Sequence, residues 1–130
     1  MENNFILIQP HPTPEELLKA VIQIVPEFAS YWESPDNYFR NDDGSFSLHG
    51  VFAELTAYVR DNFSHFSDKQ RHTLFEFVEK CVLLDPNPNS GVSNAACTCF
   101  LENLAGDGKL SEAIAPYLGV RSKEYFDEWN

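Results

Sequence analysis

At 130 residues the chain has room for one domain with a core of its own. Apolar residues make up 43% of it, with eleven Phe, five Tyr and two Trp, which excludes a disordered chain and supplies large side chains to bury. The formal net charge of −11 leaves no basic footprint, so neither nucleic acid nor an anionic membrane surface is an expected partner.

The three cysteines, Cys81, Cys97 and Cys99, are too few and of odd number for a disulfide framework, which points to a reducing compartment. The apolar run Phe5-Ile6-Leu7-Ile8 is too short for a signal-peptide core and has no basic residue before it. No apolar stretch approaches the roughly 20 residues of a membrane span. A cytoplasmic location is the expectation.

Residues 1–12 read as an N-terminal arm ahead of a single helical domain. Thr13-Pro14-Glu15-Glu16 then opens a helix: a hydroxyl at the cap, proline at the first position and a glutamate able to reach back. Apolar residues recur at helical spacing from Leu17 to Trp32, interrupted by Pro26. A break or kink near Val25 follows, and a second short piece ends near Glu33. Residues 34–45 read as a loop rich in Pro, Asp, Asn and Gly, with Tyr38 and Phe39 anchoring it. From about residue 47 to 64, Leu48, Val51, Phe52, Leu55, Tyr58, Val59, Asn62 and Phe63 form the best amphipathic stripe in the chain, with Glu54, Thr56, Arg60 and Asp61 on the other side.

Ser67-Asp68-Lys69-Gln70 is a second capping box, opening a helix whose face is Leu74, Phe77, Val78, Cys81 and Val82 and which Asp85-Pro86 ends. Residues 87–91 read as a turn. The helix expected over 92–105, from Val92 to Ala105, is apolar nearly all round and reads as the buried centre of the fold. Gly106-Asp107-Gly108 stops it. A short helix follows from Leu110 to Ala115, closed by Pro116 and Gly119, and Ser122 caps a last one with Tyr125, Phe126 and Trp129 as anchors. The expected fold is all-α, a compact bundle of about five to six antiparallel helices around the 92–105 helix.

Nothing in the chain reads as catalytic or metal-binding, and no cofactor is expected. On an α-helix Cys97 and Cys99 point to opposite sides, so they read as small packing residues. The pairs Asp61/His65 and Asp68/His72 straddle a helix break, and His11 and His49 lie apart from both, which gives no metal-ligand pattern. Glu102 and Asn103 are the polar residues in the apolar helix. Glu102 could hold an arginine or a helix start, but an exposed face is the simpler expectation. Trp32 and Trp129, each near a helix end, read first as lids on the core.

Four segments carry a resemblance: Val51-Phe52-Ala53-Glu54-Leu55, Phe75-Glu76-Phe77-Val78-Glu79, Cys99-Phe100-Leu101-Glu102-Asn103-Leu104 and Tyr117-Leu118-Gly119. In order and spacing, over roughly residues 14–129, the chain resembles a family of small uncharacterised bacterial helical proteins. Such proteins are similar in turn to the immunity components of bacterial toxin systems, which are small, acidic, cytoplasmic and without catalytic residues. The net charge, the absence of chemistry and the compact size point the same way, to a bacterial interaction protein, first of all an immunity protein, that sequesters a cationic toxin domain through an acidic face.

The acids are unevenly placed: six of them lie between Glu27 and Glu54, against Arg40 alone. The expected contact surface is the acidic loop with its aromatic neighbours: Trp32, Glu33, Asp36, Tyr38, Phe39, Asp42 and Asp43. The alternatives are a small helical enzyme using Glu102 or a His–Asp pair, and a regulatory domain that binds a peptide in an apolar groove.

Overall fold

Local chemistry sets the first helix. The Thr13 hydroxyl accepts from the Glu16 amide at 3.1 Å, and the Glu16 carboxylate accepts from the Thr13 amide at 2.9 Å. Helix α1 runs Pro14–Ile24. The computed structural model describes residues 11–37, 39–84 and 91–129, and all of its described regular elements are helical. Val25 leaves helical geometry (φ −127°, ψ 84°) just ahead of Pro26, as the proline requires. Helix α2 is the short Phe28–Trp32.

Helix α3, Leu48–Asn62, is capped by the Ser47 hydroxyl on the Gly50 amide at 2.9 Å, and the single turn Phe63–His65 tightens its end. Helix α4, Asp68–Leu84, starts at the expected Ser67/Gln70 box, with bonds of 3.0 and 3.1 Å. The Asp85-Pro86 stop and the turn at 87–90 lie outside the described residues, as do the first ten residues of the arm.

The predicted central helix needs correction. It begins at Gly91 as α5, Gly91–Ala95, widens into a π-helical stretch over Ala96–Leu101, and returns to α geometry in α6, Glu102–Leu104. The Glu102 amide reaches back five residues to the Cys97 carbonyl. The Cys99 carbonyl accepts from outside the ladder, from the Thr56 hydroxyl at 2.7 Å and the Asn103 side chain at 3.0 Å. The widened turn is therefore bonded to α3 as well as to itself.

This rod is not sealed on every side: Ala96, Phe100 and Leu101 are buried, but Asn94, Cys97, Thr98, Cys99 and Glu102 are half-buried and Asn103 is exposed. The sequence pattern registers the apolar content of the rod but not the cleft along one side of it.

Helix α7 spans Gly108–Ile114, a turn follows over Ala115–Tyr117, and α8 spans Val120–Glu128. Ser122 does not cap α8. The helix starts three residues earlier than expected, at Val120 with Gly119 at the cap position, and Ser122 is buried inside its first turn. Trp129 is 51% exposed, so it is no lid on the core, while Phe126 is fully buried.

The core lies where α3 and the π stretch pack together, with α5 and α8 on α4 and with α1 and α2 closing over α3. Phe100 projects from the π stretch between Phe52 of α3 and Phe75 of α4, with ring centroids at 5.8 and 5.9 Å. Each such side chain stabilises by roughly 1.5–3 kcal/mol on burial. In the stripe assigned to α3, Val51, Phe52, Leu55, Tyr58, Val59 and Phe63 are buried and Leu48 is half-buried, yet Glu54 and Thr56 are buried with them, at 8% and 2% exposed. A helix covered from two directions hides more than one stripe.

Candidate functional site

The predicted contact residues do not form one exposed patch. Trp32 is only 2% exposed, with its ring edge-on to Phe46 at 4.9 Å, so it is a core residue and not a surface anchor. Glu33 is exposed but spent on Arg40, whose guanidinium lies 2.9 Å from its carboxylate and also meets its carbonyl. Tyr38 lies outside the described residues. Phe39 is 38% exposed and rests on α3 above Gly50, where an added Cβ would come within 3.1 Å of the Phe39 Cβ.

The loop is held by its own polar side chains. Asn37 is buried; it donates to the Trp32 carbonyl at 2.8 Å and accepts from the Phe39 amide at 2.9 Å. Asp43 accepts from the Ser45 hydroxyl and amide at 2.6 and 2.9 Å, and these bonds hold its carboxyl below the usual range. Asp36 and Asp42 are exposed, and no ion pair holds either among the described residues. A cleft of about 440 Å³ opens between α1 and the loop, walled by Leu18, Ile22, Trp32 and Phe46 and rimmed by Glu33 and Arg40.

A second acidic feature lies on the neighbouring face. Glu54, Tyr58 and Asp61 follow one another at helical spacing along α3, and Tyr31 of α2 meets the Tyr58 ring edge-on at 5.1 Å. Phe28 backs Tyr58 at 5.4 Å. Burial, then the charges of Glu54 and Asp61 and hydrogen bonding to Asp61, push the Tyr31 hydroxyl up. Burial and the charge of Glu27 do the same to Tyr58. Burial also raises the Glu54 carboxyl, and among the described residues no ion pair compensates it.

Because its folded value lies above the unfolded one, Glu54 costs stability at neutral pH, and the cost disappears as acid protonates it. Glu54→Gln is expected to stabilise the fold at pH 7 and so to raise Tm there. The gain should vanish below the ordinary carboxylate value of 4.5. Thermal unfolding at pH 7 and pH 3.5 checks this, and a lower Tm for the variant at pH 7 would refute the reading.

The other candidate groups are dispersed. The π stretch borders a second cleft of about 440 Å³, lined by Cys97, Thr98, Arg121 and Tyr125 among others. Burial raises the Cys97 thiol and Arg121 only partly offsets it, so the thiol is held protonated. Cys81 is pushed up to about 12 by burial. Glu102 accepts from the Tyr125 hydroxyl at 3.2 Å and holds neither an arginine nor a helix start.

The helix start belongs to Glu79, a residue that sequence reasoning did not single out. Its carboxylate takes the Arg121 and Ser122 amides at 3.1 and 2.9 Å and the Ser122 hydroxyl at 2.7 Å. His72 lies 3.4 Å from Asp68, and Tyr117 donates to the same carboxylate at 2.9 Å, all three at the surface or half-buried. Among the described residues no group of three His, Cys, Asp or Glu side chains is placed to hold a metal ion. No described helix is long and apolar enough to cross a membrane.

Residues 18–130 match the family described as a domain of unknown function (DUF7674). The chain belongs to the DUF7674 family. No curated protein and no solved structure matches it. The match covers almost the whole stretch over which the four core segments suggested a family of helical proteins. It includes both acidic features and, apart from Glu15, the lining of both clefts of this DUF7674 member.

Proposed function

We propose that this protein is a binding protein that captures a partner with a basic surface, in the manner of the cytoplasmic bacterial immunity proteins it resembles. The observation that carries the reading is a set of carboxylates without counter-ions. Among the described residues no ion pair holds Glu27, Asp36, Asp42, Asp43, Glu54 or Asp61, in a chain of net charge −11. Solubility alone needs acids only on exposed residues, and it gives no reason to place one on a residue as covered as Glu54 without a counter-ion. The loop acids steer the partner, and the cleft beside Trp32 and Phe46 gives its apolar side chains a place to pack.

A cationic toxin domain is the partner that this reading and the family resemblance favour together. The triple change Asp36→Asn, Asp42→Asn and Asp43→Asn is expected to slow association with that partner about tenfold at low salt. The difference should close at about 1 M salt, where the Debye length is roughly 3 Å. Stopped-flow association across a salt series measures it. An unchanged on-rate at low salt would overturn the placement of the steering surface.

A further inference from the structure

Glu54 combines two properties that seldom occur together. Its residue is 8% exposed, and among the described residues no hydrogen bond or ion pair satisfies its carboxylate. Yet its oxygens still reach solvent, because the one fully sealed side-chain polar atom without a partner among the described residues is Arg71 Nε. The stem is buried and the charged tip is open.

The Tyr31 hydroxyl feels the charges of both Glu54 and Asp61, the Tyr31 ring meets the Tyr58 ring edge-on at 5.1 Å, and Tyr58 and Asp61 follow Glu54 at helical spacing along α3. Glu27 adds its charge from the start of α2. The described arginines are all engaged elsewhere: Arg40 on Glu33, Arg60 on Asp107 and the Asn103 carbonyl, Arg71 on Phe63, and Arg121 on Glu124.

We propose that Glu54, with Tyr31, Tyr58 and Asp61, forms the anchor site for one arginine side chain of the partner. A guanidinium is flat, stays charged on partial desolvation and is weakly hydrated, so it can face a tyrosine ring while its N–H groups meet a carboxylate. An ammonium is more strongly hydrated and has no flat face to offer the rings. The assignment rests on the reading of the protein as a binder of basic partners. It names which side chain that partner must present, and it explains why a destabilising carboxylate is held in place.

The test uses the full chain and a small probe, so it does not depend on having the partner. N-acetyl-arginine amide is titrated in and followed by NMR, with the neutral citrulline amide and the lysine amide as controls. Arginine amide is expected to bind with a Kd of about 1 mM and to shift resonances at Tyr31, Tyr58 and Asp61. Citrulline amide should cause no shift there, and lysine amide should bind about threefold more weakly. Glu54→Gln is expected to weaken arginine amide at least fivefold, and the exposed Asp61→Asn change about twofold.

Glu112→Gln, a change at an exposed acid outside both proposed surfaces, should bind the probe as the parent does. Equal binding of citrulline amide, equal or tighter binding of lysine amide, shifts centred on the loop acids, or an unaltered Kd in Glu54→Gln would each overturn the assignment. Failure here with steering intact removes the anchor alone. Loss of steering with the anchor intact removes the proposed placement of the loop surface alone.

Discussion

Replacing Glu79 with alanine is expected to destabilise the fold by about 2–3 kcal/mol, although the residue is neither apolar nor fully buried. Helix α8 starts at Gly119, which has no side chain to cap the free amides of the first turn. Glu79 supplies the cap from α4, more than forty residues away in the chain, with three hydrogen bonds from the Arg121 amide, the Ser122 amide and the Ser122 hydroxyl. The carboxylate also meets the positive end of the α8 dipole.

Gly119 makes the approach feasible. A Cβ there would lie 2.6 Å from Glu79 Oε1 and closer still to its Cγ and Cδ. The flexible glutamate could swing aside, but only by giving up its three bonds. Gly119→Ala is therefore expected to cost about 2 kcal/mol in the parent and little in a Glu79→Ala background. Chemical denaturation of the two single variants and the double variant measures the coupling. Additive losses would show that the two residues are not one device.

Burial pushes the Glu79 carboxyl up, but the Ser122 hydroxyl and amide, the Arg121 amide and the Arg121 charge outweigh it and hold it below the ordinary 4.5. Its stabilisation is thus complete above the unfolded carboxylate value and is lost as pH falls through the folded one. Glu54 has the opposite sign, so acid relieves one site while it opens the other.

The caps at Thr13 and Ser67 were legible in the sequence because each is closed by residues three positions apart. So were the break at Val25 and the all-helical class, which follow from proline chemistry and the 3.6-residue period. Long-range geometry was not. Glu79 and Gly119 end two of the segments that carried the family resemblance, yet nothing local says that they meet.

Glu54 and Thr56 fall on the polar side of an α3 helical wheel, and only the packing of α1, α2 and the π stretch on several sides of α3 buries them. The acidic stretch from Glu27 to Glu54 was visible as a charge count. Which acids are spent on Arg40 or Ser45, and which stand open beside Tyr31 and Tyr58, depends on tertiary contacts that a count does not hold.

Truncating Phe100 to alanine is expected to cost about 3–5 kcal/mol, more than any other substitution considered. The ring is fully buried and touches Phe52 on one side and Phe75 on the other. Phe75 in turn meets Phe63 and Tyr117, so one ring ties α3, α4 and the turn before α8 to the π stretch. Its backbone is on the widened turn, which is fixed to α3 through Thr56. Neighbours held in that way cannot collapse into the space left behind, and a cavity that does not collapse lies at the costly end of the range.

Against a typical domain stability of about 5–15 kcal/mol, such a loss should lower Tm by roughly 10–20 °C. Cys97→Ala and Cys99→Ala, on the half-buried side of the same stretch, should cost about 1 kcal/mol or less. Differential scanning calorimetry of the three variants makes the comparison. If Phe100→Ala were as mild as the cysteine changes, the core would not be centred on the π stretch.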